Sequence, residues 1–285
     1  MKFLRILIRY FASLVETFFI NRRLILNLTT RDINSRYKGS ILGIIWSFLN
    51  PLMMLCIYTF VFSVIFKARW PGGSESWTEF ALVLFSGLII FNLFAECINS
   101  SPHLISGNIN YVKKIKFPLE ILPFVSLGAS LFHFAVSFVI WLVFYLLMFG
   151  IPSIKILFLT LILIPLLFTI LGFCWFISSL SVYFKDFSQL VSIFTTVLMF
   201  LSPIFYPIEA VPEKFRLIML FNPVAGTIEQ ARQILIWNGN FDVFSWLISF
   251  TLSFLFSMFG FIWFKKIKRG FADVIWSCDK SWRDL

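Results

Sequence analysis

Charged residues are scarce in this chain. They make up 13% of its 285 residues, while hydrophobic residues make up 59%; a soluble domain carries roughly 25% charged residues. A core of this size cannot enclose so much apolar surface, so the composition indicates that lipid surrounds much of the chain. We therefore expect an all-α integral membrane protein that forms a single transmembrane domain over residues 1–285.

The chain also lacks the motifs of common enzymes. No GxxxxGK(S/T) loop is present to hold nucleotide phosphates, and neither an HExxH zinc motif nor a GxSxG nucleophile elbow occurs. His133, inside an apolar run, is interpreted as a hydrogen-bonded structural residue. We expect no catalytic residue, no metal site and no cofactor bound by this chain. The cysteines show no CxxC or metal-ligand spacing; they are Cys56, Cys97, Cys174 and Cys278.

Long apolar runs are abundant. A helix needs about 20 residues to cross roughly 30 Å of hydrocarbon, and six runs come close to or exceed this length. The second run is the shortest and is bounded by Glu79 and Glu96. The pattern predicts six transmembrane helices over residues 41–66, 80–95, 121–149, 156–184, 187–208 and 243–264.

The basic residues are distributed unevenly between the two sides of these runs. Of the 24 Lys and Arg residues, eighteen lie in residues 1–40, in the 96–120 loop, in the 185–186 turn or in the C-terminal tail. The positive-inside rule therefore predicts that both termini are cytoplasmic. It also explains the net charge of +10 without a nucleic-acid partner.

Two segments outside the runs are expected to lie at the membrane without crossing it. Residues 1–19 place their charged side chains opposite their apolar ones, which predicts an interfacial helix; the alternative is a helix packed on a soluble partner. Residues 207–238 contain Asn222-Pro223, Glu229 and Arg232. Each central charge would cost about 2.5–3.5 kcal/mol in a full crossing, so we expect a re-entrant extracytoplasmic hairpin.

The cytoplasmic loop at residues 101–118 carries helix start and stop signals. Ser101-Pro102 fits an N-cap followed by proline at the first helical position, and Phe117-Pro118 ends the segment. A short helix outside the bilayer is expected between them. A basic flank that only sets topology is the alternative interpretation. The residues of interest are Tyr111, Lys113, Lys114 and Lys116.

Three cations precede the first run: Arg31, Arg36 and Lys38. At the cytoplasmic mouth of a helix that enters the bilayer, they could neutralise a diphosphate. The alternative is that they only anchor the topology. Asn50-Pro51 then interrupts the first run, where proline removes a backbone hydrogen bond and kinks a helix.

The run RDINSRYKGSILGIIWSFLNP at 31–51 resembles the opening signature of a known family, the type-2 ABC export permeases that move O-antigen, capsule and teichoic-acid polymers. The likeness continues in order through KKIKFPLEILP at 113–123, YFKDF at 183–187, LSPIFYP at 201–207 and NPVAG at 222–226. It covers nearly the whole chain.

The resemblance implies a homodimer in the bacterial inner membrane, docked through Tyr111, Lys113, Lys114 and Lys116 to two separate P-loop ATPase subunits that bind ATP and Mg. The substrate would be a polysaccharide linked to undecaprenyl diphosphate, with its head group at Arg31, Arg36 and Lys38. Aromatic residues of the first and fifth runs would line the polymer path. The selected residues are Trp46, Tyr58, Phe194, Phe200 and Tyr206.

Two other functions remain open at this stage. One is a type-2 permease for a small lipid or drug, which shares the topology. The other is a membrane-embedded transferase that acts on a polyprenyl phosphate and needs paired carboxylates. The nearest candidates for such a site are Glu209 and Glu213 with Arg216.

Overall fold

The computed structural model describes residues 2–65, 70, 77–112, 117–184, 186–220, 222–271 and 274, and no β-strand occurs in these ranges. The described chain is helical, as the composition predicts. Its α-helices are α1 (Lys2–Ile20), α2 (Arg22–Tyr37), α3 (Trp46–Tyr58), α4 (Trp77–Ser100), α5 (His103–Ser106), α6 (Ile109–Val112), α7 (Leu122–Phe149), α8 (Phe158–Ser181), α9 (Phe187–Leu201), α10 (Glu213–Leu220), α11 (Ala225–Leu235) and α12 (Val243–Ile267).

Within the described residues, five helical segments are long and apolar enough to cross a membrane. They are Gly43–Phe62, Thr78–Ser100, Leu119–Phe149, Ile154–Ser181 and Val243–Gly270. The first contains Pro51 and passes from α-helix into a π-helix at Thr59–Ile65. These segments correspond to five of the six predicted runs and agree with an integral membrane protein.

The run at 187–208 does not form one helix. Helix α9 has 15 residues and ends at Leu201, because Ser202 adopts an extended conformation and Pro203 follows it. At about 1.5 Å per residue, α9 is roughly 22 Å long, less than the roughly 30 Å hydrocarbon core. The expectation of a single helix to residue 208 is wrong for this reason, and a sixth crossing stays a prediction.

Helix α4 lies at the centre of the described fold and contacts α7, α8, α9 and α11. Two fully buried tryptophans satisfy their indole N–H groups with backbone carbonyls around it. Trp141 Nε1 donates to the Leu82 carbonyl at 3.0 Å, and Trp175 Nε1 donates to the Glu120 carbonyl at 3.1 Å. The tryptophans therefore fix α7 against α4 and α8 against the start of the α7 segment.

Helices α8 and α12 pack together with almost no space between their backbones. A Cβ atom placed on Gly260 would lie 2.4 Å from the Gly172 carbonyl oxygen, and one on Gly172 would lie 2.7 Å from the Phe256 ring. Beside this contact, Thr169 Oγ1 donates to Ser253 Oγ at 2.8 Å. Small residues that permit such close approach are typical of helix pairs in membranes.

The N-terminal segment forms two helices that lie against the other helices. Residues 2–20 are helical as predicted, and part of their apolar face packs on α12, where the rings of Phe11 and Phe254 are 5.4 Å apart. Helix α2 packs on α7 through Ile25 and Leu28. The interfacial position of α1 stays a prediction.

The segment at 207–238 folds into a short 3₁₀ turn, α10 and α11. Helix α11 packs on α4 and α8, and it carries Arg232 into the core, where its exposure is 0%. The guanidinium donates to the carbonyls of Val83 (3.1 Å), Pro203 and Ile204 (2.8 Å). Its charge also lies 4.5 Å from the Trp70 ring. Protein atoms therefore shield the charge, while the re-entrant position in the membrane stays a prediction.

The loop at 101–118 differs in detail from the expected single helix. Its described residues contain α5 (His103–Ser106), a turn at Gly107 and Asn108, and then α6 (Ile109–Val112). Ser101 does not cap a helix, because its hydroxyl donates to the Cys97 carbonyl at 2.6 Å. The residue at the N-cap position of α5 is Pro102.

Candidate functional site

A cavity of about 570 Å³ lies between α3, α4, α7 and the C-terminal end of α2. Its lining combines charged, amide, hydroxyl and aromatic side chains. They include Arg36, Tyr37, Trp46, Asn50, Tyr58, Asn92, Glu96, Ser130, His133 and Ser137. Polar residues inside membrane-spanning helices are costly unless they are paired, and they often mark a substrate pathway.

Glu96 is at the centre of the charged part of this lining. It lies four residues before the end of α4, and its Oε1 atom accepts hydrogen bonds from Arg36 and from His133 Nδ1, the latter at 2.8 Å. The other ring nitrogen of His133 is 2.9 Å from the Tyr37 hydroxyl. Both nitrogens of His133 are therefore used, as the structural interpretation of this histidine predicts.

Arg36 sits between two carboxylates. Besides Glu96 on α4, its guanidinium pairs with Asp32 one turn earlier on α2 at 3.2 Å. Burial disfavours the charged guanidinium, but the negative charges of Glu96 and Asp32 outweigh burial and raise the pKa of Arg36 above its ordinary value. The side chain is 31% exposed, so it remains charged and reachable from water.

The rest of the lining offers hydrogen bonds beside aromatic faces. Asn50 and Asn92 can donate and accept, and the Ser130 hydroxyl also lines the cavity. Trp46 and Tyr58 add two aromatic side chains. Such a cavity suits a ligand that is rich in hydroxyl groups and carries a charged end, better than it suits a plain hydrocarbon.

The three cations that precede the first span do not converge on one point. Arg36 lines the cavity, whereas Lys38 is exposed at the end of α2. Arg31 Nη1 donates to the Tyr111 hydroxyl at 2.5 Å, and the Tyr111 ring stacks on Phe117 with centroids 4.2 Å apart. A cation predicted for the substrate thus contacts an aromatic residue predicted for the ATPase.

The five aromatic residues predicted for a polymer path are only partly brought together. Trp46 and Tyr58 line the cavity, and the Tyr58 ring is 5.9 Å from Phe205. Phe205 in turn lies 6.3 Å from Phe200, whose carbonyl accepts a hydrogen bond from Tyr206 at 2.7 Å. These residues therefore form a row that leads away from the cavity.

Phe194 lies outside this row. Its ring is 6.0 Å from Phe173 on α8. Phe62 and Phe205, which the sequence interpretation did not select, stack within the row with centroids 5.0 Å apart. Nothing in the sequence distinguishes these two from the other phenylalanines, which number 39.

The predicted docking residues are only partly described. Tyr111 is in α6, but Lys113, Lys114 and Lys116 fall outside the described residues. In the candidate transferase site, Arg216 donates to the backbone carbonyls of Val211 at 2.9 Å and Glu209 at 3.1 Å. Arg216 therefore holds the turn that precedes α10.

Glu96 and His133 are the important residues that the sequence interpretation did not assign to the site. Both are ionisable residues at or inside apolar runs, and such residues are functional candidates by default. Glu96 was used only as the boundary of the second run. Their pairing joins positions 37 apart, a separation at which a sequence pattern alone does not indicate contact.

Comparison with known proteins places these features in a wider context. A family model described as ABC-2 type transporter matches residues 23–236. The chain is 28% identical over 256 residues to the O-antigen export system permease protein RfbA of Klebsiella pneumoniae, covering 88% of this chain and 95% of that protein. It is 29% identical over 224 residues to the Myxococcus xanthus protein of the same name, covering 78% of this chain and 83% of that protein. It is 26% identical over 211 residues to the polysialic acid transport protein KpsM of Escherichia coli, covering 72% of this chain and 78% of that protein.

Proposed function

Because the chain belongs to the ABC-2 type transporter family, we propose that it is the transmembrane subunit of an exporter that moves lipid-linked polysaccharide across the bacterial inner membrane. The names of its relatives, which refer to O-antigen export and polysialic acid transport, support a polysaccharide substrate. The proposed carrier lipid is undecaprenyl diphosphate. In this proposal the chain is multi-pass, with both termini in the cytoplasm.

The observation that carries the proposal is the lining of the cavity. A single space presents Arg36 at one end, and amides, hydroxyls and two aromatic side chains along its walls. Guanidinium groups bind phosphate oxygens through two parallel hydrogen bonds. Aromatic faces can pack on the C–H faces of sugars without requiring particular hydroxyl groups. The cavity therefore provides for both parts of a lipid-linked glycan.

The proposed roles follow from these positions. Arg36 binds the diphosphate at the cavity, and Arg31 and Lys38 attract it from the cytoplasmic surface, where each cation contributes on the order of 1 kcal/mol. Trp46 and Tyr58 contact the first sugars. Phe200 and Tyr206 extend the path beyond them. Phe194, which lies outside this row on α9, stays a predicted path residue.

ATP hydrolysis belongs to a different polypeptide in this proposal. The chain has no P-loop, so ATP and Mg would bind to two separate ATPase subunits, one for each permease of a homodimer. Tyr111, Lys113, Lys114 and Lys116 form the docking loop. The Arg31–Tyr111 hydrogen bond would connect this loop with the helix that carries Arg36.

Purification and reconstitution test the proposal. The affinity-tagged chain, expressed with the genes beside it, should copurify with a P-loop ATPase. In proteoliposomes the complex should hydrolyse ATP faster when polyprenyl-diphosphate-linked glycan is added, and labelled glycan should become protected on the far side. Stimulation by small lipids or drugs but not by the glycan would instead support the small-substrate permease. Isolation without any ATPase would contradict both.

A further inference from the structure

The ion pair between Arg36 and Glu96 places a competing anion at the proposed head-group site. Glu96 projects from α4, and its Oε1 atom accepts from a guanidinium that lies 60 residues earlier in the chain. The carboxylate is 25% exposed and the guanidinium 31% exposed, so a ligand in the cavity can reach both. An anion that binds the Nη1 side of Arg36 therefore competes with Glu96.

We propose that Glu96 is a specificity-determining residue: a built-in counterion that keeps singly charged phospholipids off Arg36 and gives way only to a head group with two phosphates. This inference rests on the proposed function, because it concerns the choice of lipid carrier. The ligand class is a lipid diphosphate. The excluded class is the lipid phosphodiester, which surrounds the protein in large excess.

The charge of the competing groups explains the selection. A phosphodiester brings about one negative charge, the same as the Glu96 carboxylate that it would displace. Glu96 has the further advantage of being tethered within bonding distance, which corresponds to a high effective concentration. A diphosphodiester brings about two negative charges and more acceptor oxygens, so it can exceed the carboxylate as a partner of guanidinium.

The surroundings of Glu96 allow the displacement. The carboxylate also accepts from His133 at 2.8 Å, and His133 is held by the Tyr37 hydroxyl at 2.9 Å. When Arg36 leaves, Glu96 keeps this second partner, so the carboxylate is not left without a hydrogen bond. Tyr37 follows Arg36 directly in the chain. The Tyr37–His133 hydrogen bond therefore keeps the end of α2 near α7 while Arg36 changes partner.

Asp32 does not fulfil the same role. It also pairs with Arg36, but it is 41% exposed and lies on the same helix, four residues earlier. Such exposed pairs are weak and screened by salt. Asp32→Asn is therefore the informative comparison. It removes one negatively charged partner of Arg36, as Glu96→Gln does, but leaves the Glu96 carboxylate in place at the cavity.

The test uses the purified permease with its ATPase in nanodiscs and two matched lipids, a polyprenyl diphosphosugar and the corresponding polyprenyl monophosphosugar. Each competes with a fluorescent polyprenyl diphosphosugar, and inorganic diphosphate serves as a third competitor that has no lipid. The wild type should prefer the diphosphosugar. In Glu96→Gln this preference should fall about fivefold, mainly because the monophosphosugar binds more tightly.

Controls separate this effect from a general loss of charge. Glu209→Gln, the same change at an exposed position of the 207–238 segment, should keep the wild-type preference, and Asp32→Asn should change it by less than about twofold. If Glu96→Gln does not give a monodisperse protein, Glu96→Asp retains the charge but withdraws the carboxylate from Arg36. It should then show part of the same loss of preference.

Three results would overturn the inference in different ways. If both lipids compete in the wild type and Glu96→Gln keeps the wild-type preference, Glu96 only fastens α4 to α2 and the proposed function is unaffected. If neither lipid competes in any form of the protein, the proposed carrier is wrong and the inference fails with it. Equal competition by inorganic diphosphate would show that a free anion suffices, which would contradict a role in choosing lipids.

Discussion

Arg31 donates a hydrogen bond to the hydroxyl of Tyr111, and the distance between Nη1 and the hydroxyl oxygen is 2.5 Å. The two residues are 80 positions apart. One belongs to the helix that ends at the cavity and the other to the proposed docking loop. The guanidinium also lies 5.6 Å from the centre of the Tyr111 ring. A displacement of Tyr111 would therefore act directly on Arg31 and so on α2.

Tyr111→Phe should weaken communication between ATPase and cavity without preventing assembly. The variant loses the hydroxyl that accepts from Arg31 but keeps the ring that stacks on Phe117. We expect the complex to form, with substrate stimulation of ATP hydrolysis reduced several-fold. Stimulated and basal ATPase rates in proteoliposomes measure this. Tyr145→Phe, on α7, is the matched control, and equal effects of the two variants would contradict a specific contact.

Charge reversal at Lys113 and Lys114 should reduce ATPase docking. Both residues belong to the 101–118 segment that is predicted to dock the ATPase, and two lysines there would attract an acidic partner surface. We expect Lys113→Glu with Lys114→Glu to lower the amount of ATPase that copurifies, while membrane insertion is unchanged. Lys214→Glu, in the 207–238 segment, is the comparison. Unchanged assembly and turnover would favour the alternative that the loop only sets topology.

Replacement of both Arg31 and Arg36 by lysine should reduce export while expression and orientation persist. Lysine retains the positive charge that sets topology but lacks the planar pair of donors that fits phosphate. A loss of about 1 kcal/mol at each site corresponds to about fivefold per residue. The amount of glycan on the cell surface measures export, and the accessibility of tags at the two termini measures orientation. Full export by the double variant would leave these arginines as membrane anchors only.

Gly87→Ala should destabilise the fold through Arg232. A Cβ atom at this position would lie 2.6 Å from Nη2 of Arg232, and the guanidinium cannot move without leaving the carbonyls that it binds. Overpacking of this kind costs about 1–3 kcal/mol. The melting temperature in detergent should fall. In the control Gly226→Ala, nothing lies within 4 Å of the new methyl group, and its melting temperature should not fall.

Cysteine substitutions in the proposed path should react with aqueous thiol reagents during transport. The positions are Trp46, Tyr58, Phe194, Phe200 and Tyr206, in a background without the native cysteines. Trp141→Cys supplies a buried comparison, since Trp141 is 0% exposed. Modification of the path positions should increase when ATP and lipid-linked glycan are present. If all five stay as unreactive as Trp141→Cys, these aromatic residues face lipid or protein.

The apolar runs predicted most of the fold because each run contains enough apolar residues to form a long helix without partners from elsewhere. The prediction failed at two local breaks in the sequence. Pro203 follows the end of α9, and Gly107 separates α5 from α6. Both residues are visible in the sequence, but whether a proline or glycine ends a helix depends on how the neighbouring chain packs.

The candidate site was predicted only in part, for a different reason. Arg36, Trp46 and Tyr58 lie in or near one local signature, and the structure places them around one cavity. Glu96 and His133 complete the site from two other helices, and Arg232 reaches the carbonyl of Val83 from 149 positions away. Hydrophobic periodicity describes one helix at a time, so it cannot predict which residues of distant helices contact each other.

The contact between Gly172 and Gly260 also limits how the protein can move. A shift of one helix along the other would push bulky neighbours such as the Phe256 ring against Gly172, and packed interiors resist such displacements. Helices α8 and α12 should therefore behave as one rigid body throughout a transport cycle. The hinge must lie elsewhere, and α3 is the natural mobile element because it borders the cavity and its winding changes at residues 59–65.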